Sequence, residues 1–380
     1  MKKIVIAPDS FKGSLAAIDV ARAIAEGLHR VWPLAACVLV PMADGGGGTL
    51  DAVLSAGGER RKSRVAGAAG HCVTAAFGIV EREGRRLAII EVAQVVGITE
   101  PSGMAAPVGA RSSQGVGELM RQVLDLGIRD FLIGLGGSST NDGGAGLLTG
   151  LGARLLGEDQ CAIPPQPDAL TRIRQVDISA LDPRLATCRI TILSDVNNPL
   201  TGPRGATAIF GPQKGVTPDL QDRYDRAIAG FARLAEEALG RRAADNPGAG
   251  AAGGLGFALQ LIGGEFRSGA EVIADLLKLD DALAGADWLI TGEGRSDMQT
   301  LLGKTPQVVA RRAALQGVPA TLLSGGIDRA ALVALGETFA GCFSLVFGPL
   351  TLADAIADSA GLLADSAEQM ARLLSATRHS

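Results

Sequence analysis

One stretch constrains this chain most: Gly134-Leu-Gly-Gly-Ser-Ser-Thr-Asn-Asp-Gly-Gly-Ala-Gly146. The apolar run Phe131-Leu132-Ile133 leads into it and reads as a buried strand, and Leu147-Leu148 lead out and read as a helix start. Between them lie six glycines, two serines, a threonine, an asparagine and an aspartate, with no cation. Glycine lets a ligand come close to bare backbone N–H groups. Successive N–H groups at a strand-to-helix turn make an anion-binding concavity, and the helix dipole adds positive potential. Asp142 sets a carboxylate beside it, so the stretch suits a phosphate carrying a divalent metal. One glycine pair would read as a tight turn with a capping hydroxyl. This density of glycine and hydroxyl groups points to phosphate.

The rest of the chain repeats strand, polar loop and helix. Residues 3–7 read as a buried strand, followed by the loop Pro8–Gly13 and by a helix over about 15–32 that Ser14 can cap. Cys37–Val40 is a second strand, opening into Pro41–Thr49 and another helix. From about residue 65 the texture changes: Val73–Val80 and Leu87–Val92 flank the charged Glu81–Arg86 and read as a hairpin. Residues 157–187, with four prolines, read as a surface connection. Ile190–Leu193 reads as a strand and about 218–240 as a polar-faced helix. After about 285 the strand-loop-helix texture returns, with strands at Asp287–Thr291, Ala320–Ser324 and Cys342–Phe347. The expectation is an α/β chain with two α/β domains. One is a Rossmann- or flavodoxin-like parallel sheet built from both chain ends, 1–65 and 285–380. The other is an inserted mixed-sheet domain, 66–284, carrying the glycine-rich loop.

Ligands of open parallel sheets sit outside the carboxyl ends of the strands. The polar clusters here mostly follow strands. They bring Asp9, Asp44, Asp142, Asp195, Glu293 and Asp297 together with Lys12, Arg295 and Lys304. Several carboxylates in one crevice repel unless cations neutralise them. Magnesium plus lysine or arginine is the simplest solution, and phosphoryl transfer needs these parts. Singly, Asp9, Asp44 and Asp297 read as caps or turn residues; the joint pattern carries the argument.

Other chemistries fit less well. Gly303-Lys304-Thr305 resembles the end of a Walker A loop, but Met298 stands where its first glycine belongs. Gly248–Gly253 spells the dinucleotide fingerprint yet follows no strand, so close packing at a helix start is its expected use. The three histidines, 29, 71 and 379, form no metal spacing, and both His29 and the tail residue His379 read as surface residues. A formal net charge of −4 argues against a nucleic-acid partner, and no apolar run is long enough for a membrane span. Five scattered cysteines fit a reducing, cytoplasmic compartment, and Met1–Asp9 has too short an apolar run for a signal peptide. A homo-oligomer is left open.

At this point the chain resembles the type 1 glycerate kinase family. The matching segments include Ala7-Pro-Asp-Ser-Phe-Lys-Gly-Ser-Leu15, Met42-Ala-Asp-Gly-Gly46, the whole of Gly134–Gly146 and Asp195-Val-Asn-Asn-Pro-Leu200. Others are Phe210-Gly-Pro-Gln-Lys-Gly215, Gly248–Gly256 and Ile290-Thr-Gly-Glu-Gly-Arg295 with Asp297, Gln299-Thr300 and Gly303-Lys304. The resemblance implies ATP-dependent, magnesium-assisted phosphorylation of D-glycerate, with 2-phosphoglycerate favoured as product. It also implies two α/β domains with the active site in the cleft between them, closing on substrate. Three positions depart from the family pattern: Gly47 stands for its usual Glu, Val96 for its Ser, and Ser194-Asp-Val-Asn197 for its Cys-Asp-Val-Asp.

On this reading the backbone of Gly136, Gly137, Ser138, Ser139, Thr140 and Asn141 contacts phosphate. Asp142 and Glu293 hold the metal. Asp195 is the general base, Lys304 neutralises the transferred phosphoryl group, and Asp297 joins them at the catalytic centre. Asp9, Ser10, Lys12, Asp44 and Arg295 meet the substrate, with Lys12 and Arg295 on its carboxylate. The rival readings are a 3-phosphoglycerate-forming or related hydroxy-acid kinase, a non-catalytic ligand-binding relative on the same scaffold and, resting on Gly248–Gly253 alone, a dinucleotide oxidoreductase.

Overall fold

The computed structural model describes residues 2–376, and His379 lies outside them. In chain order the strands of the two main sheets are β1 (Lys3–Ile6), β2 (Ala36–Leu39), β3 (Glu59–Ala66), β4 (Cys72–Arg82), β5 (Arg85–Glu91) and β6 (Asp130–Gly134). They continue with β7 (Arg189–Leu193), β8 (Glu265–Arg267), β9 (Trp288–Thr291), β10 (Ala320–Ser324) and β11 (Gly341–Ser344). The chain divides into two compact units. The first takes the chain up to Asp44, Asp51–Ala56, and the chain from Ser268 onward; the second takes Gly45–Leu50 and Gly57–Arg267.

In the first unit five strands pair in the order β11-β10-β9-β1-β2, every pair parallel. Read by chain position this is the doubly wound order 2-1-3-4-5, whose direction of winding reverses between β1 and β9. Ile4, Val5 and Ile6 are wholly buried, as a strand covered on both faces requires. Helices supply the cover. The helix Ala17–Val31 buries Val20, Ile24 and Leu28 on one face and packs against Ser359–Ala376. Its expected cap fails: Ala16 is the N-cap residue, in an extended conformation without a side-chain bond. Ser14 instead turns its hydroxyl to Ser359.

The second unit holds a mixed six-stranded sheet, order β8-β7-β6-β5-β4-β3. The β3/β4 and β4/β5 pairs are antiparallel and the remaining three parallel. The predicted hairpin is β4–β5. Arg82 pairs with Arg85 across Glu83 and Gly84, both at positive φ, the two-residue turn that suits strand twist. Edge strand β3 was not legible, because Glu-Arg-Arg-Lys-Ser-Arg shows no apolar run and its pairing to β4 alone makes it a strand. The expected surface connection at 157–187 is also corrected. It contributes Leu170, Ile173, Val176 and Leu185 to the core of this unit, and its Gln175–Asp177 pairs with Arg154–Leu156.

Candidate active site

The first unit forms a cavity of about 800 Å³ where its winding reverses. The loops after β1 and β9 build it. Asp9 N–H donates to the Gly292 carbonyl (2.8 Å) and Thr291 Oγ1 to the Ala7 carbonyl (2.7 Å), so the two loops are tied at their roots. Asp9, Ser10, Lys12 and Asp44 line the cavity, and Glu293, Arg295 and Lys304 join them.

The Asp9 carboxylate accepts from Thr305 Oγ1 (2.7 Å) and from its neighbour's amide, Ser10 N (2.6 Å). Burial, and after it the Asp44 carboxylate, still push its pKa up to about 7 against these bonds. Glu293 accepts from Thr300 Oγ1 (2.6 Å) and Ser296 Oγ (3.1 Å), and burial raises its pKa as well. Lys304 Nζ stands 3.9 Å from both Glu293 Oε2 and Asp297 Oδ1, a spacing that leaves its donors reorientable. Asp297 caps the short 3-10 turn Met298–Leu301 in a capping box with Thr300. Lys304 is the N-cap residue of the helix Thr305–Leu315. Lys12 and Arg295 are exposed.

In the second unit the glycine-rich loop leaves β6. Gly134, the last residue of β6, is in register with Leu193 of β7, so Asp195 follows from the same edge of the sheet and is exposed there. Two glycine runs press on this loop. A Cβ on Gly136 would come within 2.6 Å of Gly46 Cα, and one on Gly253 within 2.0 Å of the Thr140 carbonyl oxygen. Gly248–Gly254 thus serves close packing at a helix start.

Most polar side chains of the loop turn inward, whereas the expected phosphate contact is through its backbone. Ser139 donates its amide and hydroxyl to the Val96 carbonyl (2.8 and 2.9 Å), and Asn141 Nδ2 donates to Thr207 Oγ1 (3.0 Å). Ser139, Thr140 and Asn141 are wholly buried, and the outward part is the Gly136–Gly137 tip with Ser138 beside it. Asp142 is wholly buried too. It accepts from Ser113 N (2.7 Å), Ser113 Oγ (2.8 Å), Gly144 N (3.0 Å) and Gly146 N (3.2 Å). Its oxygens organise the loop and leave no face for a metal. Val96 is a core side chain, so that departure from the family pattern removes no polar group from a surface.

Two cations beneath the loop escaped the sequence reading. Lys214, 2% exposed, donates from Nζ to the Thr140 carbonyl (2.7 Å) and to Ser138 Oγ (3.2 Å). Burial drives its pKa down to about 7, against the pull of the Asp142 charge. Arg111, 3% exposed, donates to the carbonyls of Ser139, Lys214, Ala106 and Met104. The only sequence signal for Lys214 was its place in Phe210–Gly215, and Arg111 had none.

Among the described residues, no three or more His, Cys, Asp or Glu side chains group into a metal cage, and no helix is long and apolar enough to cross a membrane. A magnesium ion needs only one or two carboxylates when phosphate oxygens and water complete its shell. Asp9 and Asp44 fit that demand. They share one partly buried cavity, where burial first and the Asp44 carboxylate second raise the pKa of Asp9.

A protein-family model described as glycerate kinase family matches residues 4–375. A glycerate kinase of Bacillus subtilis (strain 168) is 41% identical over 376 residues, covering 97% of this chain and 97% of its own. A glycerate 2-kinase of Escherichia coli (strain K12) is 42% identical over 328 residues, covering 86% and 85%. A crystal structure from Salmonella typhimurium LT2, provisionally assigned as glycerate kinase 2, aligns over 100% of both chains with a TM-score of 0.87 and 40% identity.

Proposed function

The chain belongs to the glycerate kinase family, and from that premise we propose that it transfers the γ-phosphoryl group of ATP to the 2-hydroxyl of D-glycerate. The products are 2-phospho-D-glycerate and ADP. One observation carries the reading. The cavity at the winding reversal of the first unit gathers Asp9, Asp44 and Glu293 with the cations Lys12, Arg295 and Lys304. The printed name of the Escherichia coli relative favours the 2-hydroxyl.

The roles follow from the chemistry of phosphoryl transfer, which asks for positioning and charge neutralisation more than covalent help. Lys12 and Arg295, both exposed on the cavity, hold the glycerate carboxylate. Lys304, loosely held by Glu293 and Asp297, swings its ammonium onto the γ-phosphoryl oxygens as charge spreads over them. Asp195 takes the proton of the attacking hydroxyl as the new O–P bond forms and the bond to the β-phosphate oxygen breaks. The Gly136–Gly137 tip, with Ser138 steadied by Lys214, contacts phosphate through its backbone. Asp9 and Asp44 would hold magnesium, which when bound supplies neutralisation of the phosphate charge.

An ADP-release assay with ATP, D-glycerate and magnesium tests this, with phosphorus NMR reading which carbon carries the product phosphate. Absence of glycerate-dependent ADP release would sink the proposal, and a 3-phosphate product would sink its regiochemistry.

A further inference from the structure

The cavity of the first unit has two unlike walls. The strand-end loops give the polar one. The other is mainly aliphatic, made where the chain leaves β11: Val346, Leu352 and Ile356 line the cavity, with the buried Phe11 and Leu362 also in its lining. Leu352 is 77% exposed, Val346 40% and Ile356 39%. Aliphatic side chains left open beside a rim of charge mark a ligand site rather than ordinary surface. Glycerate does not explain them. It is a three-carbon acid with an oxygen on every carbon and has no apolar face to cover. It would also fill a small part of about 800 Å³, a volume on the scale of much larger ligands. In the reaction proposed above, the one flat apolar group is the base of the nucleotide.

We propose that the aliphatic wall formed by Val346, Leu352 and Ile356 is the subsite for the nucleotide base, with the phosphate chain running toward Lys304 on the polar wall. This rests on the nucleotide-dependent reading and adds to it where the base sits. Stacking against aliphatic side chains removes both base and wall from water, and it does so whatever the hydrogen-bonding pattern of the base edge. Lys304 then meets a phosphate chain rather than open solvent.

Calorimetric titration of the full chain with magnesium-ATP and, separately, with magnesium tripolyphosphate isolates the contribution of the base. The wild-type protein is expected to bind ATP at least about tenfold tighter than tripolyphosphate. Leu352→Asp and Ile356→Asp are each expected to bring the two ligands within about twofold of each other, with tripolyphosphate affinity little changed. Val333→Asp supplies the control, since Val333 is an 82% exposed apolar residue outside the cavity lining. It should keep the wild-type ratio. A ratio that survives both Leu352→Asp and Ile356→Asp overturns the subsite, and so does a wild-type protein without preference for ATP over tripolyphosphate. The outcomes separate from those of the function itself. Lack of glycerate-dependent ADP release would strike the proposed reaction while a collapsing ratio still upheld the subsite. Full activity with an unaltered ratio would do the reverse.

Discussion

Lys214 Nζ lies 2.7 Å from the carbonyl oxygen of Thr140, inside the protein and beneath a loop that contains no cation of its own. The loop is therefore held from below by an amino group that comes from a segment more than 70 residues away. The Ser139 hydroxyl and the Asn141 Nδ2 amide likewise hold the loop in place.

That lysine should be visible in the pH dependence of stability. Its folded pKa, about 7, lies below its unfolded value of 10.5. Between the two, the unfolded chain keeps a proton that the folded one has released, so stability rises with pH through that window. Lys214→Met has no such group. Urea unfolding at pH 6.5, 8 and 9.5 should show wild type gaining on the variant as pH rises. A constant difference would mean that the buried ammonium stays charged.

Asp142→Asn tests the corrected role of that residue. The amide offers one acceptor oxygen where four donors now converge and adds an N–H₂ facing them. A loss of about 2–3 kcal/mol in unfolding free energy is expected. Unchanged stability together with weakened magnesium dependence would return Asp142 to the metal.

Asp9 links pH and magnesium. Its folded pKa of about 7 stands above the ordinary 3.8, so between these values the folded chain holds a proton that the unfolded chain lacks. Stability should fall as pH rises through that interval, and Asp9→Asn should flatten the fall. Magnesium competes for the same oxygens. The rise in Tm on adding magnesium should therefore be larger at pH 8 than at pH 5.5 and should vanish in Asp9→Asn. Equal shifts in wild type and variant would place the ion elsewhere.

Lys304→Ala should lower kcat by about 10²–10³-fold, because its charge matters most in the transition state. Steady-state ADP release measures this, and near-wild-type kcat would remove the assignment.

Arg295→Ala and Lys12→Ala should act on binding. Losing a charge-assisted contact to the substrate carboxylate should raise KM for D-glycerate about 10–100-fold with little change in kcat. A kcat defect at unchanged KM would move these cations from the acid to the phosphoryl group.

The first unit was readable in outline from local signals. Ile4-Val5-Ile6 and Trp288–Thr291 announce buried parallel strands, and the polar loops after them hold Asp9 and Glu293 as the doubly wound pattern demands. The family segments were equally local, since each is a short run of fixed spelling. β3 was hidden because an edge strand with one wet face carries no apolar run. Lys214 and Arg111 were hidden because a lone cation reads as surface until something buries it.

The order of residues alone thus settled where most buried strands lie, where glycine lets chains touch, and to which family the motifs point. Packing settled which side of the loop most polar groups face, that Asp142 accepts from Ser113 as well as from its own loop, and that a distant lysine supports Ser138. The division has one cause: strand and turn preferences act over a few neighbouring residues, whereas burial and hydrogen-bond partners come from segments that meet only in the folded chain.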